Sequence, residues 1–391
     1  MQQMDPSDWG AMMYRGPRLA MVGTYPPTAC GLATFNLNLS HAIGGDHEWS
    51  TQIIRVVEGA DVDPTFELVT EWVSGDTLSL ARAARVANDA DAVVLQHEFG
   101  LFAGRDGAEV LDFVDAINVP LVVVLHTVLE SPTAHQRRII EELTEVASAI
   151  VVLSHSAYER MLLNYRTPIE KLNVIPHGAE ANFSGTVLGA LKGPSILTWG
   201  LLGPGKGLEY GISAVARLQR RAPRPTYIVA GETHPKVKLH EGERYRRQLQ
   251  DQSRELGVAN RVVFADGYRD ARSLRELVRS VDVVLLPYES RDQVSSGVLV
   301  EAIASGRPVV ATRFPHAEEL LSRGAGFVVD QGDVVAMASA LEEVLYVPGV
   351  AARMRVAARQ EASALLWPAV GAQYRSLLRE LFAQRASGIH R

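Results

Sequence analysis

Short, almost uninterrupted apolar runs alternate with stretches of helical period through most of this 391-residue chain. The first run is Arg18-Leu19-Ala20-Met21-Val22-Gly23. A loop with Pro26-Pro27 and Gly31 follows, and Leu32 to Ile43 then repeats at helical spacing. Further runs lie at Gln52–Val57, Ala92–His97, Leu121–His126, Ile150–Leu153 and Leu172–Pro176. Helix-like stretches precede the last four: Leu78–Ala90, Ala108–Ile117, Arg137–Ala147 and Ala157–Tyr165. Strands that are apolar on both faces and separated by helices predict a parallel sheet covered on both sides.

The pattern then restarts. Ala179 to Pro194 is small, polar and Gly/Pro-containing, which predicts a linker. Ser195–Gly200 is a new first strand, followed by runs near Thr226–Ala230, Arg261–Phe264, Val283–Leu286, Pro308–Ala311 and Gly326–Val329. Val334–Tyr346, Val350–Ala364 and Pro368–Gln384 are helix-like. We therefore expect an α/β chain with two Rossmann-like, doubly wound domains facing a central cleft. The expected divisions are a tail (1–17), an N-terminal domain (18–180), a linker (181–194), a C-terminal domain (195–365) and a final helix (366–391). Ligands of open α/β sheets bind beyond the carboxyl ends of the strands, so those ends hold the candidate site. The first loop is not G-x-G-x-x-G, which argues against a dinucleotide fingerprint.

Composition narrows the classes. A net charge of −6 argues against nucleic-acid binding by bulk charge. The Arg-rich stretches Arg217–Arg224 and Arg244–Arg247 read as solvated helix faces. Cys30 is the sole cysteine, which excludes an intrachain disulfide and a cysteine metal cluster. The first 17 residues lack the apolar core of a signal peptide. No run approaches the ~18–20 apolar residues of a membrane span. We expect a cytoplasmic location, with peripheral contact to the cytoplasmic membrane face left open. Asp61-Val62-Asp63 has a D-x-D form, but the pattern is short and isolated, and we expect no metal.

Gln293 to Thr312 carries the most chemistry. It reads as loop, short helix, turn and buried strand, with Ser296-Gly297 opening the helix. Free N–H groups and the helix dipole favour phosphate there. Glu301 follows about one turn later, where a carboxylate accepts two hydroxyl hydrogen bonds, as from a ribose. Gly200-Leu201-Leu202-Gly203-Pro204-Gly205-Lys206-Gly207 lies between a strand and a helix. Its glycines admit phosphate close to backbone, and Lys206 supplies a cation. Gly231 and Tyr268 follow other strand ends. His126 and the pair His97-Glu98 end strands of the first half, where imidazole and carboxylate can hydrogen-bond sugar or acceptor hydroxyls.

The segment from Gln293 to Thr312 resembles the signature of retaining glycosyltransferases of family 4, which have the GT-B fold. Its context is close to "G-x-x-x-E-A-x-A-x-G-x-P-V-V-A-T", and Glu301 matches the second of the family's two Glu residues. Gln293 stands at the first. Gly200–Gly207 is similar to the family's "G-R-L-x-x-x-K-G", with Lys206 matching and Leu201 in place of the Arg. Thr28-Ala29-Cys30-Gly31 resembles the glycine loop of the N-terminal domain. Pro176-His177-Gly178-Ala179-Glu180 resembles "P-N-G-V-D", with His177 at the Asn position. The Trp367-Pro368 break and the helix after it resemble the GT-B ending, in which the last helix packs on the N-terminal domain.

The resemblance implies retaining transfer of a hexose, mannose or glucose, from a nucleotide diphosphate sugar such as GDP-mannose or UDP-glucose. The acceptor would be a carbohydrate or lipid-linked hydroxyl, with no metal or other cofactor. It implies catalytic roles for His126, Lys206 and Glu301. Gly31, Gly203, Gly231, Tyr268, Gln293, Ser295, Ser296 and Gly297 would surround the donor, and His97 and Glu98 would meet the acceptor. Gln293 leaves two alternatives open: a catalytically silent nucleotide-sugar binding protein, and a nucleotide-sugar epimerase.

Overall fold

The computed structural model describes residues 16–28, 30–45, 48–59, 68–185, 193–267, 269–290 and 294–388. The chain divides into two compact units. One comprises the residues up to Leu153, Tyr158–Ile175 and the chain from Val370 on; the other comprises Ser154–Ala157 and Pro176–Ala369.

In the first unit the elements run β1 (Arg18–Gly23), α1 (Gly31–Gly44), β2 (Ser50–Val57), β3 (Leu68–Val73), α2 (Thr77–Asn88), β4 (Ala92–His97), α3 (Glu109–Asp115), β5 (Leu121–Leu125), α4 (Ala134–Val146), β6 (Ala149–Val152), α5 (His155–Asn164) and β7 (Leu172–Val174). The sheet is parallel in the order β3-β2-β1-β4-β5-β6-β7. Its central strands β4 and β5 are buried along their whole length, as their continuous apolar runs require. The helices start where side chains satisfy their first amides. Asp76 caps α2, and Thr133 with Gln136 forms a capping box on α4.

β3 has no counterpart in the sequence reading. It is the edge strand, and in Leu68-Val69-Thr70-Glu71-Trp72-Val73 only Trp72 is buried. Its Glu71 accepts from Arg55 of β2, whose guanidinium is itself buried.

The second unit contains β8 (Ser195–Trp199), α6 (Leu208–Arg217), β9 (Thr226–Ala230), α7 (Pro235–Glu241), α8 (Arg244–Glu255), β10 (Val262–Ala265), α9 (Ala271–Ser280), β11 (Val283–Leu286), α10 (Gly297–Ala304), β12 (Val309–Thr312), α11 (Pro315–Leu321), β13 (Gly326–Val329), α12 (Val334–Tyr346), α13 (Val350–Leu365) and the start of α14 (Trp367–Ala386). Its parallel sheet has the order β10-β9-β8-β11-β12-β13. Alternate residues of β8 feed two cores. Leu197 and Trp199 pack with Leu299, Val300 and Ile303 of α10 and with Ala358 and Ala362 of α13. Ile196 packs with Ile212 of α6, Leu249 of α8 and Leu341 of α12.

The chain enters the second unit at Pro176, ahead of the boundary expected at Glu180. Asn182, placed in the expected linker, is buried there. Its side-chain amide donates to the Ser305 hydroxyl at 2.8 Å and to the Arg275 carbonyl at 3.0 Å. From Val370 on, α14 belongs to the first unit, where Arg375 donates to the Ala42 carbonyl at 2.6 Å and Phe382 stacks on Trp49 at 5.9 Å. Among the described residues, no single helix is long and apolar enough to cross a membrane.

Candidate functional site

In the second sheet β8 and β11 are neighbours, and the chain leaves them toward opposite edges of the sheet. Strand order reverses at that point, which is where open α/β sheets bind ligands. The loops leaving these strands are packed through glycines. A Cβ on Gly207, whose φ is +62°, would lie 1.8 Å from the Pro287 carbonyl oxygen. One on Gly231, whose φ is +132°, would lie 2.0 Å from that of Gly200. Any side chain at either position would force the loops apart. Gly203 lies under α7, with its Cβ direction 3.3 Å from the Val237 side chain.

Lys206 reaches back from this loop, and its ammonium lies 4.5 Å from the centre of the Tyr288 ring. Burial lowers its pKa. Tyr288 is itself buried and is hydrogen-bonded to the Ser296 side chain. Ser296 caps α10, with its hydroxyl oxygen accepting from the Leu299 amide at 3.3 Å. Its own amide donates to His316 Nδ1 at 2.8 Å. Nδ1 therefore carries the lone pair, and the neutral ring holds its proton on Nε2. Burial pushes the His316 pKa down to about 4, so the ring stays neutral beside the helix start.

Glu301 sits one turn further along α10. Burial pushes its carboxyl up to about 7, against the opposing influence of a hydrogen bond from Trp199 and the charge of Arg275. The structure thus brings Lys206, Ser296, Gly297 and Glu301 together with the adjacent, half-buried Ser295. Gln293, Tyr268 and the Asp61-Val62-Asp63 motif lie outside the described residues. Among the described residues no group of three or more His, Cys, Asp or Glu could hold a metal ion.

His177 covers the start of α10. A Cβ on Gly297 would lie 2.9 Å from its Nε2, and its Nδ1 lies 2.7 Å from the Gly178 carbonyl oxygen. That oxygen only accepts, so Nδ1 carries the proton. Burial pushes this imidazole to about 4 as well. The sequence reading missed Tyr288, His316, Trp199 and Arg275 as neighbours of the site. No local spacing marks them, because they come from four separate segments.

In the first unit Gly31 opens α1 behind Cys30, whose sulfur accepts from the Ala33 amide at 3.3 Å. Cys30 is therefore a helix cap. Among the described residues, chain neighbours and the helix's own backbone apart, nothing lies within 4 Å of the Cβ direction of Gly31, so this helix start is open there. His126 follows β5 and is half-buried. Its Nε2 is 2.8 Å from Gln96 Oε1, and its ring meets Phe35 edge-on at 4.8 Å. The Glu98 carboxylate accepts from the Thr127 hydroxyl at 2.5 Å and from the Phe99 amide at 3.0 Å, tying the loops after β4 and β5 together.

His97 departs from its expected place at the acceptor. Its side chain is fully buried, edge-on to Phe99 at 5.2 Å and stacked with Phe102 at 6.4 Å. Neither ring nitrogen has a partner among the described residues, and burial pushes its pKa to about 4. Successive strand residues face opposite sides, and Gln96, not His97, turns toward His126.

Residues 193–346 match the family model described as Glycosyl transferases group 1. Alpha-D-kanosaminyltransferase of Streptomyces kanamyceticus is 25% identical over 349 residues, which span 82% of this chain and 86% of that protein. The GDP-mannose-dependent alpha-(1-6)-phosphatidylinositol monomannoside mannosyltransferase of Mycolicibacterium smegmatis is 34% identical over 192 residues, 47% of each chain. The crystal structure of Anabaena HepE in complex with UDP-glucose is similar over 93% of this chain and 100% of its own, with a TM-score of 0.73 and 20% identity. Residues 193–346 thus match the model of group 1 glycosyl transferases, in a chain whose two parallel-sheet units have the fold of GT-B glycosyltransferases.

Proposed function

We propose that the protein transfers a hexosyl group, mannose or glucose, from a nucleotide diphosphate sugar to an acceptor hydroxyl, with retention and without a metal. The observation that supports this reading best is the grouping of Lys206, Ser296 and Glu301 where strand order reverses. A cation and a helix start there suit a diphosphate, and a carboxylate one turn away suits a ribose.

The bond from the sugar's anomeric carbon to the diphosphate breaks, and its electron pair leaves with the phosphate oxygen. Lys206 and the first amides of α10 stabilise that developing charge. The acceptor oxygen bonds to the same face of the sugar, and the departing diphosphate takes the hydroxyl proton. His126, whose Nε2 donates to Gln96 Oε1, accepts from a sugar hydroxyl at Nδ1; Gly31 lies on the donor side and Glu98 serves the acceptor. The acceptor is a carbohydrate or a lipid-linked saccharide, and GDP-mannose and UDP-glucose are the first donors to try.

The test is mass spectrometry of nucleoside diphosphate released from a panel of nucleotide sugars. Release from one donor, abolished by Glu301→Ala, supports the transferase. An epimeric nucleotide sugar formed without acceptor, or tight donor binding without release in the presence of acceptors, overturns it.

A further inference from the structure

At the opposite, amino-terminal edge of the second sheet, Arg279, Arg355, Arg359 and Asp282 lie within electrostatic range of Arg307, and Arg279 also donates to Asn182 Oδ1. Arg279 ends α9, Arg307 precedes β12, and Arg355 and Arg359 lie one turn apart on the same face of α13. The Arg307 guanidinium donates to the carbonyls of Ser305, Arg279 and Val281 at 3.2, 3.1 and 2.9 Å. It feels the charges of Arg355, Arg359 and Arg279, which act with burial to lower its pKa, while Asp282 alone opposes them.

Asp282 is already committed. One carboxylate oxygen accepts the Ser195 amide and hydroxyl, both at 2.9 Å, and the other lies 3.7 Å from Arg355 Nη2. Arg355 Nε is buried without a partner among the described residues. The Arg359 guanidinium rests over the Phe183 ring at 5.8 Å. Gly306 and Gly185 let the backbone pack close against the cations: their Cβ directions pass 3.3 Å from Arg359 Nε and 3.2 Å from Arg279 Nη2. Four like charges with one occupied carboxylate among them repel one another in the folded state, and an anion would relieve that repulsion.

We propose that this cluster binds a phosphate-bearing anion of several negative charges, at a site separate from the donor site. Planar guanidinium forks pair with phosphate oxygens two at a time, and Arg355 and Arg359 present adjacent forks. β11, at about 3.3 Å per residue, holds this edge on the order of 13 Å from the carboxyl ends. The ligand is a soluble polyphosphate or phosphorylated metabolite, or a phosphorylated lipid headgroup; the chemistry is shared.

The experiment is calorimetric titration of the full chain with inorganic tripolyphosphate, repeated in the Lys206→Gln and Arg355→Gln/Arg359→Gln variants. Binding that survives Lys206→Gln and weakens at least tenfold in the double variant supports the proposal. No binding to the wild type, or binding lost in Lys206→Gln and kept in the double variant, overturns it. The exposed single change Arg359→Gln carries the same test should the double variant fold poorly. Vesicles of phosphatidylcholine containing phosphatidic acid distinguish the sources. Co-sedimentation that depends on Arg355 and Arg359 assigns a lipid headgroup, and tripolyphosphate binding without it assigns a soluble anion.

Discussion

The Lys206 ammonium lies 4.5 Å from the centre of the Tyr288 ring, and the Tyr288 hydroxyl is bonded in turn to the residue that caps α10. The ring thus holds a buried cation beside the helix start without neutralising it. Lys206→Met keeps the length of the side chain and removes the charge. A charged hydrogen bond is worth about 1.5–3 kcal/mol, so nucleoside diphosphate affinity falls roughly 10- to 100-fold. The melting temperature of the free protein holds or rises, because a desolvated charge is gone. Titration with UDP and GDP, alongside thermal melts, checks both. Unchanged affinity would remove Lys206 from the diphosphate.

With Glu301 at the donor's ribose, as proposed, donor binding depends on pH. Its folded carboxyl titrates near 7, above the ordinary value of 4.5. A ribose diol donates two hydrogen bonds best to the ionised form, so binding releases a proton and affinity rises from pH 6 to 8. Glu301→Gln binds more weakly and loses that slope. The stability effect has the opposite direction. The neutral carboxyl's contribution is full below pH 4.5 and is lost as pH rises through 7. At pH 8 the free Gln variant therefore melts higher than wild type. Affinity measured across this range in both proteins tests the assignment.

The helix-strand alternation was legible because buried parallel strands are continuously apolar, and the two sheets follow from it. β3 was not legible, since an edge strand that is broken by Thr70 and Glu71 and buries only Trp72 has no such run. Lys206 and Glu301 stand out in the sequence as candidates because each lies within one loop or one turn of a glycine. Tyr288 and His316 do not, because their roles arise only when β11 and α11 are placed around α10. The burial of His97 was not legible for the same reason: a strand covered on both faces gives no parity signal to say which of Gln96 and His97 meets the neighbouring His126.

His97, His177 and His316 titrate near 4 when folded, because burial penalises their charged forms. The unfolded value is about 6.5. Stability from these neutral rings is full above 6.5 and is lost as pH falls toward 4. Urea midpoints should fall steadily over that window. His97→Leu should flatten part of the fall and raise stability at pH 5, because it replaces two unpartnered ring nitrogens with apolar volume. It should leave the KM for acceptor unchanged. A raised KM would return His97 to the acceptor site.

Two glycines expected near the ligand separate packing from binding. At Gly231 both the φ of +132° and the approach of the Gly200 carbonyl, 2.0 Å from a would-be Cβ, oppose any side chain. Gly231→Ala combines backbone strain with overpacking, at a cost of about 3 kcal/mol or more. The second unit should melt markedly earlier, and donor binding should fall with it. Gly31 begins α1 with no neighbour among the described residues, outside its own helix and chain neighbours, within 4 Å of its Cβ direction. There alanine is at least as good a helix former, so stability should stay within about 0.5 kcal/mol of wild type or improve. If Gly31 is kept for a ligand that rests on the helix start, Gly31→Ala lowers turnover with the melt unchanged. The decisive comparison is therefore a melt and a steady-state assay on the same Gly31→Ala sample. Full activity there would show that the open face of α1 touches neither substrate.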